Sequence, residues 1–311
     1  MNIRILSSSP LVGPALKQLG ADFPELCVAP FRSIAWRMAL PTAEALIGLL
    51  SEPLGEADLD LMPRLRVIGT YSVGVNHLPL EACKERGIQV VSTPGVLTDA
   101  TADLALALLL AVSRRVAEGE ALVRSAQWKG WAPDQLLGTG LNNKVCGILG
   151  SGPIGRAFAK RVWALGMKPA FWDRDGKGLP VDFGPGLARR LPLEELLPQS
   201  AVLSLHCPLT PETRGLLDGR KLARLPQGAL VINTARGGIL DEPALMDLLA
   251  RGHLGGVGLD VYEGEPALHP GWLEAPRAVL LPHLGSATVE TREAMAELLC
   301  KGVARALGGS C

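Results

Sequence analysis

A chain of 311 residues is longer than one hydrophobic core usually serves, so two domains are expected. With 48% apolar and 20% charged residues it is not a disordered chain. Thirty-one Lys and Arg balance thirty-one Asp and Glu, leaving no net charge to attract nucleic acid or an acidic membrane. The six cysteines show neither a C-x-x-C pair nor metal-ligand spacing, and Cys27, Cys83, Cys146, Cys207 and Cys300 lie in or beside apolar runs. That usage predicts reduced thiols, a cytoplasmic protein and no metal site. The N-terminal Met1-Asn-Ile-Arg-Ile-Leu6 reads as a first strand rather than a signal peptide, and the longest apolar run, Leu104–Val112, is too short to span a bilayer.

In chain order, strands are expected at Ile3–Ser7, Val67–Tyr71, Ile88–Ser92, Val145–Leu149, Pro169–Trp172, Ala201–His206, Ala229–Asn233, Gly256–Val261 and Ala278–Leu281. Several are apolar throughout, as parallel strands covered on both faces are. Helical periodicity fills Leu80–Arg86, Ile154–Leu165, Arg220–Leu225 and Glu242–Arg251. This alternation predicts an α/β protein with two doubly wound, Rossmann- or flavodoxin-like parallel sheets and a cleft between them. One domain is expected over residues 1–98 plus 290–311, the other over 99–289. A long helix from Asp99 to about Val116, with Thr98 as its N-cap, would connect them. Residues 118–143 carry Trp128, Trp131 and several glycines with weak periodicity, and so predict an irregular functional or interaction arm.

The sharpest motif is Gly147-Ile-Leu-Gly150-Ser-Gly152-Pro-Ile-Gly155, where an apolar run breaks into Gly-x-Gly-x-x-Gly and opens a helical stretch. Gly150 would allow the tight turn, Gly152 the approach of a pyrophosphate, and Gly155 close helix–strand packing. The helix start would offer N–H groups and a positive dipole end to the phosphates. Asp173, eighteen residues after Gly155, ends the next apolar run and could accept hydrogen bonds from ribose hydroxyls. Three further groups sit at the ends of later strands: Asn233-Thr-Ala-Arg236-Gly-Gly, Asp260-Val-Tyr-Glu263-Gly-Glu265-Pro266, and Pro282-His283-Leu-Gly-Ser286. Each alone is as readily a surface turn or a structural histidine. Together they place a guanidinium, carboxylates and an imidazole at the edge where open α/β sheets bind ligands.

With these motifs, together with His206-Cys-Pro208-Leu-Thr210-Pro-Glu-Thr213, the chain resembles the D-isomer-specific 2-hydroxyacid dehydrogenase family over essentially its whole length. Tyr71-Ser-Val-Gly74-Val-Asn76-His77, Thr93–Ala105, Trp128-Lys-Gly-Trp131 and Leu137–Leu141 make it most similar to the glyoxylate and hydroxypyruvate reductase branch. The resemblance implies a general-acid role for His283, oriented by Glu265, with Arg236 on the substrate carboxylate. Substrate would also meet the backbone of Val73 and Gly74, the loop of Leu50 and Ser51, and Trp131 of a homodimer partner. Cofactor contacts are implied for Thr101, Gly150, Gly152, Pro153, Ile154, Gly155, Asp173, Arg174, Cys207, Pro208, Thr213, Thr234, Ala235, Asp260 and Gly285. Asp173 favours NAD, because a carboxylate repels a 2′-phosphate, while Arg174 beside it keeps NADP open. Pro153 and Asn76 depart from the family's usual residues, and Pro153 removes one phosphate donor. The partners implied are a small 2-oxo or 2-hydroxy acid and a second copy of the chain, with neither nucleic acid nor membrane. Another D-2-hydroxyacid or phosphite dehydrogenase, or a non-catalytic NAD-sensing corepressor-like protein, would share the scaffold.

Overall fold

The computed structural model describes residues 3–174 and 179–309. The expectations placed on Met1, Asn2 and the last two residues lie outside the described residues. The chain forms two compact units, Met1–Leu97 with Ser286–Cys311, and Thr98–Gly285.

The first unit holds strands β1 (Ile5–Ser7), β2 (Cys27–Val28), β3 (Ala45–Gly48), β4 (Val67–Thr70) and β5 (Gln89–Val91). They form one parallel sheet in the order β2-β1-β3-β4-β5, the flavodoxin-like winding. Helices α1 (Ala15–Asp22), α2 (Ile34–Ala39), α3 (Glu56–Asp60) and α4 (Leu80–Glu85) alternate with the strands. One face packs Leu16, Leu19 and Val67 against Met295, Leu299 and Val303 of the C-terminal helix, Val289–Ala306. The other packs Leu46 and Ile68 against Trp36, Leu40 and Leu59. The C-terminal helix approaches β4 so closely that a Cβ on Gly69 would lie 2.8 Å from Val303 and 2.9 Å from Leu299. Thr288 caps it by accepting the Thr291 N–H at 3.1 Å.

The second unit begins with α5 (Thr98–Ser113) and α6 (Val116–Arg124). Its wound part runs β6 (Val145–Leu149), α7 (Pro153–Ala164), β7 (Lys168–Trp172), β8 (Val181–Asp182), β9 (Leu187–Arg190), α8 (Leu193–Leu196), β10 (Val202–Leu205), α9 (Gly219–Leu222), β11 (Ala229–Asn233), α10 (Glu242–Ala250), β12 (Leu254–Leu259) and β13 (Ala278–Leu280). The sheet order is β13-β12-β11-β10-β6-β7-β9-β8, parallel except for β8 against β9. Winding reverses between β6 and β10, so the ligand crevice of this unit opens beyond their carboxyl ends. Helix α5 lies on β12, where glycines leave room: a Cβ on Gly256 would meet Val112 at 2.5 Å, and one on Gly258 would meet Leu108 at 3.0 Å.

Two local expectations are corrected. Thr98 is the first helical residue rather than the cap before it. Residues 118–143 are not irregular from their start, because α6 covers Val116–Arg124. No residue of α6 is buried, so packing within the chain does not account for it. It is fixed instead by Arg115, at φ 53°, whose fork grips Glu118 at 2.8 and 2.7 Å. Beyond it Thr139 donates its N–H to the Ser113 carbonyl at 2.7 Å, returning the segment to the end of α5.

Candidate active site

The glycine turn stands between β6 and α7, as its spacing predicts. Gly150 has φ 103°, and a Cβ there would lie 2.8 Å from both the His206 carbonyl and the Cys207 nitrogen. The turn therefore fits against the end of β10 only as glycine. A Cβ on Gly155 would lie 2.0 Å from the Gly150 carbonyl, so α7 seats on its own turn. Gly152 is the N-cap of α7, with no side chain capping the helix and open space where a Cβ would stand. Pro153 follows at the first helical position, where a missing N–H costs the helix nothing, and Ile154 begins the run of available donors. A twelve-residue helix whose first turn has no acidic or capping side chain fits a pyrophosphate. Thr234, just past β11, buries a hydroxyl that makes no protein hydrogen bond, a second feature suited to a polar ligand at this edge.

Asp173 lies beyond β7 and accepts the Ser151 N–H at 2.6 Å on one oxygen. Arg174 pairs with Glu212 at 3.3 Å. Cys207 and Pro208 follow β10, and Thr213 donates its hydroxyl to the Pro208 carbonyl at 2.7 Å while accepting the Thr210 N–H at 2.8 Å. Thr101 on α5 donates to the Gly285 carbonyl at 3.0 Å. His206 also follows a strand, but it is half-buried, hydrogen-bonded to Ser204 at 2.9 Å, and pushed down to about 3 by desolvation. It stays neutral and is no second acid.

The chemistry gathers past β11, β12 and β13. His283 Nδ1 lies 2.7 Å from Glu265 Oε1. A carboxylate only accepts, so Nδ1 carries the proton and Nε2 is the atom left to exchange one. The Tyr262 N–H donates to the other Glu265 oxygen at 3.2 Å. Burial works against ionisation of Glu265, but the His283 hydrogen bond, the Tyr262 N–H and the Arg236 charge outweigh it and hold its pKa below the ordinary 4.5. Asp260 accepts the N–H groups of Leu284 at 2.6 Å and Gly285 at 2.8 Å, clasping the residues after His283. Desolvation raises the Asp260 pKa despite those donors. Arg236 is half-buried, donates to the Ala235 carbonyl at 2.6 Å, and has its pKa lowered by burial against the pull of Glu265.

Supports that carry no assigned role in the sequence reading hold this group together. Asn233 braces the Arg236 loop at both ends, donating to the Arg236 carbonyl at 2.9 Å and accepting the Ala235 N–H at 2.9 Å. A Cβ on Gly237 would lie 2.0 Å from the Tyr262 carbonyl carbon and 2.1 Å from the Glu263 nitrogen, so this glycine lets the arginine loop reach the carboxylate loop. Buried Glu242 accepts the Glu263 N–H at 2.6 Å and the Trp272 indole N–H at 2.7 Å. The adjacent glycines and the acid after Asp241 were the only sequence signals for these contacts.

Leu50, Ser51, Val73 and Gly74 belong to the first unit. They follow β3 and β4, at one edge of that sheet. The second turn is internally wired. Ser72 Oγ donates to the Gly74 carbonyl at 2.7 Å, so its proton is committed. Thr70 must then donate to Ser72, 2.8 Å away, which leaves Thr70 to accept from His77 Nε2 at 3.0 Å. Trp131 is 83% exposed on the arm of the second unit, so nothing within the chain packs it away. Among the described residues no cluster of His, Cys, Asp and Glu could hold a metal, and no helix is long and apolar enough to cross a membrane.

A helix start prepared for phosphates and an imidazole–carboxylate pair on one sheet edge define a nicotinamide-dinucleotide dehydrogenase. Comparison with known proteins makes the class specific. Residues 106–285 match the model of the D-isomer specific 2-hydroxyacid dehydrogenase NAD binding domain. The glyoxylate reductase of Thermococcus litoralis is 44% identical over 265 residues, 84% of this chain and 79% of that protein. The glycerate dehydrogenase of Hyphomicrobium methylovorum is 40% identical over 256 residues, 82% and 80% of the two chains. The solved TT0316 protein of Thermus thermophilus superposes with a TM-score of 0.90 at 45% identity, covering 98% and 97%. The chain belongs to the D-isomer specific 2-hydroxyacid dehydrogenase family.

Proposed function

We propose that this dehydrogenase reduces a small 2-oxo acid, glyoxylate to glycolate or hydroxypyruvate to D-glycerate. The observation that carries the chemistry is the 2.7 Å contact of His283 Nδ1 with Glu265, which fixes one tautomer and keeps Nε2 for the substrate oxygen. Bound nicotinamide supplies the hydride to the carbonyl carbon. His283 delivers the proton to the carbonyl oxygen from Nε2 and regains one from water afterwards. Glu265 supplies the negative charge that stabilises the imidazolium before transfer. Arg236 takes the substrate carboxylate in its planar fork, and its partial desolvation strengthens that pairing. The glyoxylate reductase and glycerate dehydrogenase names of relatives at 44% and 40% identity support the substrate choice.

The working form is a cytoplasmic homodimer clasped by residues 118–143. Val123, Trp128, Trp131 and Leu137 on that arm are 60%, 54%, 83% and 67% exposed, an apolar load that suits a protein surface better than water. The five described cysteines are all free, as a reducing compartment allows.

The test mixes the protein with NADH and either acid and follows NADH absorbance. Turnover is expected, falling about 10²–10⁴-fold in His283→Ala, the usual worth of a positioned acid. NADH binding with no turnover on either acid would overturn the reading.

A further inference from the structure

Arg190 stands outside every motif, yet it lies against Asp173, the carboxylate expected to meet the adenosine ribose. It is the last residue of β9, paired in register with Phe171 of β7, two residues before Asp173. Its side chain is only 18% exposed. Nε lies 3.0 Å from Asp173 Oδ2, off line for a hydrogen bond, so the contact is charge against charge. Nη2 donates to Ser151 Oγ at 3.3 Å, and the Ser151 N–H holds Asp173 Oδ1 at 2.6 Å. The carboxylate is thus gripped on both oxygens, by a guanidinium on one side and the glycine turn on the other.

A carboxylate beyond this strand excludes NADPH by repelling the 2′-phosphate. That repulsion needs an unbalanced charge. Here the charge is balanced from within the fold, and the balancing group is a planar fork suited to phosphate. We infer that Arg190 is the residue that sets cofactor selectivity: by neutralising Asp173 and offering its own N–H groups, it admits a 2′-phosphate, so the enzyme binds NADPH as well as NADH. This rests on the reading that Asp173 faces the adenosine ribose. The sequence argument weighed Asp173 against its neighbour Arg174, but Arg174 is turned to Glu212. The decisive cation arrives from a different strand.

The experiment measures dissociation constants for NADH, NADPH and adenosine 2′,5′-bisphosphate by fluorescence or calorimetric titration, without 2-oxo acid. It uses the intact protein, Arg190→Leu, Arg190→Lys and Asp173→Ala. The intact protein is expected to bind NADPH within about thirtyfold of NADH. Arg190→Leu is expected to raise the NADPH-to-NADH ratio of dissociation constants about tenfold or more, the scale of one partly buried charge contact, and to weaken the bisphosphate alike. Arg190→Lys should keep most of the wild-type ratio. A wild-type ratio beyond that limit, or an Arg190→Leu protein whose two affinities move together, overturns the inference and makes Arg190 a structural strap. NADH affinity unchanged in Asp173→Ala overturns the ribose reading beneath it. Loss of 2-oxo acid turnover with these binding patterns intact would count against the proposed reaction alone.

Discussion

His283 holds φ 57°, a left-handed conformation that a residue with a Cβ adopts at a cost of about 1–3 kcal/mol. The Glu265 contact on its ring and the Asp260 contacts on the next two N–H groups offset that strain. Glu265→Gln therefore tests more than orientation. The amide can still meet Nδ1 but no longer balances the imidazolium. Reductive kcat/KM should fall with NADH affinity unchanged. An unmoved kcat/KM would reduce Glu265 to a spacer. Stability follows the same group. Its pKa is depressed in the folded protein, so its contribution is complete above the ordinary value of 4.5 and fades as pH drops through the folded value. Denaturant titrations from neutrality into that acid range should show a loss that Glu265→Gln lacks. The strand-end positions of Arg236, Glu265 and His283 were legible in the sequence, because runs of apolar residues mark where parallel strands stop. Which carboxylate meets the imidazole came from the family resemblance alone, which named Glu265, since Asp260, Glu263 and Glu265 crowd the same short stretch.

At the level of elements, the loops that carry these groups depend on close backbone approach. Gly237→Ala must push the Tyr262–Glu263 peptide away, since its Cβ would sit about 2 Å from it. A destabilisation of about 1–3 kcal/mol or more is expected from such overpacking, together with a fall in kcat/KM for the 2-oxo acid, read by denaturant melts and steady-state kinetics. Glu242→Gln sets an amide N–H₂ against one of two N–H donors. It should cost about 1–3 kcal/mol, while Glu242→Ala also loses the link to Trp272. In the first unit Thr70→Val keeps shape but cuts the hydroxyl path from His77 to the Gly74 carbonyl. Denaturant melts should show a loss of about 1–3 kcal/mol, the cost of leaving buried polar partners unsatisfied. Strand β6 has the bounds its apolar run predicts, because Lys144 and Gly150 bracket it. Strands β8 and β9 left no such mark. Val181-Asp182 and Leu187-Ala-Arg-Arg190 are short segments, half polar, whose form comes from pairing outside β7. The two-residue β2 is wholly exposed and equally silent. Arg190 was invisible for the same reason: its meaning comes from the strand it joins.

For the whole molecule, the exposed aromatic and aliphatic residues of the arm lead to a direct expectation. Trp128→Ser with Leu137→Ser should shift the sedimentation profile toward monomer. Trp131→Ala, if that ring completes a partner's substrate pocket, should raise KM in a protein that remains dimeric. A wild-type protein that sediments as a monomer would remove the clasp from the account. The alternation of apolar runs and helical periods disclosed two doubly wound sheets, because covered parallel strands have no polar face to hide. It did not disclose the short helices of the first unit, where α2 and α3 have six and five residues and bury one each.

The route of the chain through these units has a bearing on biosynthesis. The second unit is one uninterrupted stretch, Thr98–Gly285, whereas the first waits for Met295, Leu299 and Val303 to cover its sheet. The middle can thus fold from one continuous run, while the opening segment has no cover until the final helix joins it. A chain truncated after Gly285 should resist protease over residues 98–285 and be cut within 1–97, where the full chain should resist.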